Sequence, residues 1–157
     1  MIYIGLPQWS HPKWVRLGIT SLEEYARHFN CVEGNTTLYA LPKPEIVARW
    51  YEQTHDDFRF CFKFPATISH QAALRHCDEL SSEFFARLAP LASRIGQYWL
   101  QLRRRSVLAI SPRYGIFSTD CRRISPTASK FVIPSFSPKG KRNSSSTAGC
   151  TSVTSTA

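Results

Sequence analysis

Long apolar runs are missing from this 157-residue chain. No stretch approaches the ~18 apolar residues that a membrane-crossing helix needs, and no basic segment followed by an apolar one opens the sequence. A soluble, cytoplasmic protein with no membrane partner is expected. The five cysteines (31, 61, 77, 121 and 150) are odd in number and never fall at Cys-x-x-Cys spacing, which argues against a disulfide framework and a zinc site. His28, His55 and His76 have no metal-ligand spacing. No G-x-G-x-x-G follows the first predicted strand and no Walker loop is present, which lowers the dinucleotide and nucleotide-phosphate readings. No cofactor is called for.

Acid is what the last third lacks. Residues 1–102 hold 10 Lys/Arg and 10 Asp/Glu, whereas residues 103–157 hold 10 Lys/Arg against the single Asp120. The formal charge of +9 therefore belongs wholly to the tail, which also carries 18 Ser/Thr and no Trp or His. Such a tail reads either as a nucleic-acid arm or as a segment unable to bury a core. The division expected is an α/β domain over 1–102 and a low-complexity, disordered tail over 103–157.

The front part is patterned. Ile2–Gly5 is an apolar run closed by glycine and proline, a plausible first strand. Ser21-Leu22-Glu23-Glu24 has capping-box spacing, and Leu22, Tyr25, Ala26 and Phe29 follow at helical spacing, so a helix should end near Asn30. Cys31–Tyr39, β-branched and short, reads as the second strand. Pro42 and Pro44 open a second helix with Ile46, Val47, Trp50 and Tyr51 on its apolar face. Phe58–Phe64 alternates strictly and is the clearest strand. Ser69–His76 reads as a short helix and Leu80–Leu91 as a longer one ended by Ile95-Gly96. Gln97–Leu102 is a fourth strand. Strand and helix in alternation predict a parallel sheet with crossover helices, either doubly wound or the first half of a (β/α)8 barrel.

Period-two arithmetic then gathers a face. If the phenylalanines of the third strand pack on helices, Arg59, Cys61 and Lys63 point the other way, as do Cys31, Glu33 and Asn35 on the second strand and Gln97, Trp99 and Gln101 on the fourth. Glu33, Asn35, Lys63 and Gln101 thus approach the C-terminal strand ends, where parallel α/β folds place their sites. Glu33 and Lys63 read either as a structural ion pair or as acid/base and anion holder. Asn35 reads as a turn cap or a substrate ligand, and His70 as a helix-start residue or an acid/base. Trp9 and Trp14 read as an aromatic wall or as packing.

Four segments carry a resemblance: Gly5–Trp14, Phe29–Pro42 with its Phe-Asn-x-Val-Glu-x-Asn-Thr-x-x-Tyr, Phe60–His70 with Lys63, Pro65 and His70, and Gly96–Leu102. Over residues 1–102 the chain resembles the YecE-like family, domain of unknown function 72. Leu6-Pro7-Gln8 departs from the small residues and glycine usual in its first loop. The resemblance implies a (β/α)8-type barrel of well over 200 residues whose biochemical function is unassigned. The family's later Glu-x-Arg-His-Pro signature is absent as written. Read from the third base of each codon, however, Arg122–Arg142 permits Ala-Asn-Phe-Thr-Tyr-Gly-Val-Glu-Val-Arg-His-Pro in the neighbouring frame. The tail is accordingly read as a frame shifted shortly after Leu102.

Three functions follow as expectations. The first is a barrel enzyme, in the intact relative, acting on a small polar or anionic substrate. Glu33 and Lys63 would be catalytic, with Trp9, Asn35, His70 and Gln101 binding substrate and no metal. The second is a nucleic-acid or polyanion binder, against which the neutral front part argues. The third, favoured for the chain as given, is a non-functional product prone to aggregate through unpaired sheet edges. Nothing in the sequence specifies an oligomeric state.

Overall fold

A computed structural model describes residues 1–102, 107–125, 127–128 and 131–132. Its centre is a parallel sheet whose strands lie in chain order: β1 (Gly5–Leu6), β2 (Cys31–Gly34), β3 (Arg59–Lys63), β4 (Ile95–Trp99) and β5 (Phe131–Val132). The connecting helices are α1 (Leu22–Ala26), α2 (Pro44–Glu52), α3 (Asp78–Leu88) and α4 (Val107–Ile124). A strand order that never reverses sends every crossover the same way round, so the helices cover one face only. That winding belongs to a (β/α)8 barrel and excludes the doubly wound alternative, whose strand order reverses at its centre. The described sheet is the N-terminal half of such a barrel.

The sheet is held by its outer face. Phe58, Phe60, Phe62 and Phe64 are all fully buried. Trp50 of α2 stacks on Phe60 and Phe62 at 6.2 and 5.7 Å, and Phe64 meets Phe84 of α3 at 5.0 Å. Burying a side chain of this size contributes about 1.5–3 kcal/mol, so this seam dominates the fold's stability. Gly34 belongs to it by close approach: a Cβ there would meet the Phe62 ring at 2.7 Å.

Boundaries differ from the periodicity in physically explicable ways. The capping box of Ser21 and Glu24 forms as expected, but α1 stops at Ala26 rather than near Asn30. Asn30 instead turns its side chain to β1, donating to the Ile2 carbonyl and accepting from the Ile4 amide. β1 is accordingly only Gly5–Leu6, with Ile2 81% and Ile4 64% exposed. Cys31–Tyr39 is a strand only to Gly34; Asn35–Leu38 is a 3-10 turn. Thr37 makes the difference, because its hydroxyl is satisfied inside the turn and across to β3.

Ser69–His76 is not a helix. One π-type turn, Thr67–Gln71, gives way to left-handed Ala73, Leu74 and His76. Burial of Leu74 offsets the ~1–2 kcal/mol such a backbone costs a non-glycine residue. α3 ends at Leu88 and a 3-10 turn, Ala89–Arg94, carries Pro90. Ile95 and Gly96 then open β4 instead of closing a helix, and the strand stops at Trp99.

In the described part of the tail α4 packs on α3, burying Phe117 and Cys121, and β5 pairs with β4 at Tyr98 and Trp99. Phe117 meets Phe64 edge-on at 5.5 Å, so apolar burial, which composition does not register, orders this part. β5 also covers part of the β4 edge expected to be unpaired. Residues 103–106, 126, 129–130 and 133–157, Cys150 among them, lie outside the described residues.

Candidate functional site

The strands are parallel, so their C-terminal ends gather at one rim. Glu33 pairs in register with Cys61, and Cys61 with Gln97, placing all three across the inner face. Lys63 lies two residues beyond Cys61 on the same face and reaches back diagonally. Its Nζ is 3.0 Å from Glu33 Oε1, with the side chains 18% and 29% exposed respectively. The strict alternation of β3 causes this: four phenylalanines take the helix side and leave Lys63 no other direction.

The rim around the pair is braced by hydrogen bonds. Thr37 Oγ1 donates to the Lys63 carbonyl at 2.7 Å, tying the turn after β2 to the end of β3. Asn35, one residue past the Gly34–Phe62 pairing and so level with Lys63, donates from Nδ2 to the Pro7 carbonyl at 2.8 Å. Its Oδ1 is buried without a hydrogen-bond partner, an acceptor at the rim whose desolvation is uncompensated. His70 lies in the loop after β3, with Nδ1 2.8 Å from Ser69 Oγ; that hydroxyl donates to the Pro65 carbonyl. Which of the two donates in the Ser69 contact is set by the imidazole tautomer.

Two expected members lie apart from the pair. Trp9 packs edge-on against Trp50 of α2 at 5.4 Å, which commits its ring to the helix layer. Gln101 lies two residues past the end of β4 and is exposed. Trp14 is half-buried beside His11, at 5.6 Å between centroids. Among the described residues no group of three or more His, Cys, Asp or Glu converges as a metal set. Among them, too, no helix is long and apolar enough to cross a membrane.

Sequence reasoning missed three residues that shape the site. Thr37 is one, hidden by its β-branched look. Tyr25 is the second: its hydroxyl accepts the Leu6 amide at 2.7 Å and donates to the Cys31 carbonyl at 2.9 Å, joining β1 to β2. Burial pushes this hydroxyl up to about 12 and raises the Cys31 thiol as well. The third is Arg94, 5% exposed, which donates to the Thr54 carbonyl at 2.6 Å and to Asp56 Oδ1 at 2.8 Å and lies 3.9 Å over the Tyr51 ring. It clamps the end of α2 and is structural. Only the repeated aromatic Tyr25 had a sequence signal, its helical phase.

Chemically, the rim offers a carboxylate for proton transfer, an ammonium for an anionic group and an amide oxygen for a donor. A sequence model of the family described as a protein of unknown function, DUF72, matches residues 3–112. The UPF0759 protein YecE of Escherichia coli K12 is 88% identical over 102 residues, covering 65% of this chain and 38% of YecE. YecE of Escherichia coli O157:H7 matches to the same extent. The chain thus spans 38% of the length of these curated relatives. A solved DUF72 family protein from Enterococcus faecalis V583 superposes with a TM-score of 0.66 at 26% identity, over 76% of this chain and 47% of that one. Another from Thermotoga maritima MSB8 gives 0.57 at 20% identity, over 74% and 52%, a likeness of fold alone.

Proposed function

Because this chain belongs to the DUF72 family, we propose that Glu33 and Lys63 are the N-terminal contribution to the active site of a cytoplasmic barrel enzyme acting on a small polar or anionic substrate. One observation carries the reading: the 3.0 Å ion pair on the inner face beside the buried, unpartnered Oδ1 of Asn35. Glu33 moves the proton, Lys63 holds an anionic group or developing negative charge, and Asn35 orients the substrate, with His70 and Gln101 at the margin. The pair is largely shielded from solvent, so the cost of desolvating both charges offsets much of their attraction, which is little reason to place a lysine on this face for structure alone. The chain by itself is proposed to be inactive, since the family's Glu-x-Arg-His-Pro segment does not appear in it as written.

We read the tail as translated from a shifted frame. In support, the codons of residues 131–133 permit Arg-His in the neighbouring frame, at the position where β5 pairs with β4. Sequencing the nucleotides that encode residues 98–110 tests this. An added or lost base that restores Glu-x-Arg-His-Pro is expected; codons incompatible with that motif refute it.

The enzyme reading is tested in Escherichia coli YecE by ligand-observed NMR against a panel of small carboxylates and phosphate esters. Binding that is lost on replacing the lysine equivalent to Lys63 by Met, with the fold retained, is expected. Binding indifferent to that change refutes the assignment. Polyanion binding is the competing reading, but Arg59 on the inner face is spent on the carbonyls of Asp56 and Phe58.

A further inference from the structure

A cavity of about 350 Å³ lies at the end of the sheet opposite the Glu33–Lys63 rim. Its walls come from the segments that lead into β1, β2 and β3: Ile4, the run from Ala26 to Asn30, and His55. The fold holds these walls in place. Asn30 donates from Nδ2 to the Ile2 carbonyl at 2.9 Å and accepts the Ile4 amide at 2.7 Å, which fixes Ile4 beside the start of β2. Phe29 stacks on buried Tyr25 at 4.7 Å. His55 sets its ring edge-on to fully buried Phe58 at 5.9 Å, and its carbonyl accepts the Phe58 amide at 3.0 Å.

The lining divides into an apolar part, Ile4, Ala26 and Phe29, and a basic part, Arg27, His28 and His55, with no carboxylate among the lining residues. Glu23 meets Arg27 at 3.0 Å, but the two side chains are 58% and 69% exposed, and a pair so placed contributes little and exchanges readily. Asp56, next to His55 in the chain, is bound to Arg94 at 2.8 Å. We propose that this cavity is a second binding site, for a small organic anion: one flat ring bearing a carboxylate or phosphate group. The ring lies against Ile4 and Phe29, and the anionic oxygens accept from the Arg27 guanidinium and the imidazole N–H groups of His28 and His55. The volume is at the low end for ligand pockets, with room for one ring and its charged group but not for a dinucleotide. A metal ion fits less well, because among the described residues no group of three or more His, Cys, Asp or Glu converges there to complete a ligand set.

The test titrates the full 157-residue chain with benzoate and, separately, phenyl phosphate at constant pH. Binding is read from the imidazole C–H resonances, assigned with His28→Gln and His55→Gln. The His28 and His55 resonances should move together, with a dissociation constant on the order of 1–10 mM, while those of His11 and His76 stay in place. The tighter of the two ligands identifies the anionic group. Neutral benzamide, close in shape to benzoate, should bind about tenfold more weakly or worse, and Arg27→Met should weaken benzoate and phenyl phosphate about fivefold or more. Four outcomes overturn the proposal: neither resonance moves with either anion, benzamide binds as well as benzoate, the His70 resonance moves in place of these two, or zinc chloride shifts them and the anions do not. Inorganic phosphate binding as tightly as phenyl phosphate overturns the part of the apolar wall.

Discussion

Thr37 Oγ1 lies 2.7 Å from the carbonyl oxygen of Lys63, a hydrogen bond from within the turn that follows β2 to the last residue of β3. It holds the end of β3 against the turn after β2, and so sets how far Lys63 must reach to meet Glu33. Thr37→Val keeps the volume and leaves that carbonyl unpaired. A loss of about 1–2 kcal/mol is expected in urea unfolding. A midpoint identical to the parent's would show that the bond does not form.

Tyr25 and Tyr98 both carry hydroxyls pushed up to about 12, burial being the main cause. The ordinary value, near 10, applies to the unfolded chain. A folded value above the unfolded one means that stability is fully present below pH ~10 and is lost as pH rises toward 12. Urea midpoints should therefore fall between pH 9.5 and 11.5, values chosen at roughly the two ends of that window. The fall should be shallower in Tyr98→Phe, which loses only a 3.2 Å contact with Thr127. An equal slope in that variant would remove Tyr98 from the effect.

Arg94 and Asp56 form an unequal pair. The arginine side chain is 6% exposed and the aspartate 94%. Asp56→Ala should cost under about 1 kcal/mol, because an exposed carboxylate gains little from an ion pair. Arg94→Leu leaves the carbonyls of Tyr51 and Thr54 without their donor and should cost about 3 kcal/mol or more. Comparable losses from the two variants, measured by chemical denaturation, would mean that the ion pair and not the carbonyl clamp carries the effect.

Cys121 tests the docking of α4. Burial pushes its thiol up to about 12, and Cys77 nearby is raised for the same reason. At pH 8 both should alkylate far more slowly in the native chain than in urea, read by peptide mass spectrometry. Labelling of native Cys121 at the unfolded rate would mean that α4 does not bury it.

The sequence by itself determined the alternation of strand and helix, the capping box at Ser21 and, through the period of Phe58–Phe64, which face of β3 is polar. These are local consequences of backbone geometry. The same period placed Glu33 and Lys63 on one side, but only strand register brought Nζ within 3.0 Å of the carboxylate. Tertiary structure decided the rest. Thr36-Thr37 reads as strand until a hydroxyl finds a carbonyl on another strand, and the contact of Trp9 with Trp50 is visible only once the two segments are packed together. Arg94 gives no local signal because its partners Asp56 and Thr54 lie 38 and 40 residues away in the chain. A buried polar group is stabilised by what surrounds it, and the surroundings are assembled only when distant segments pack.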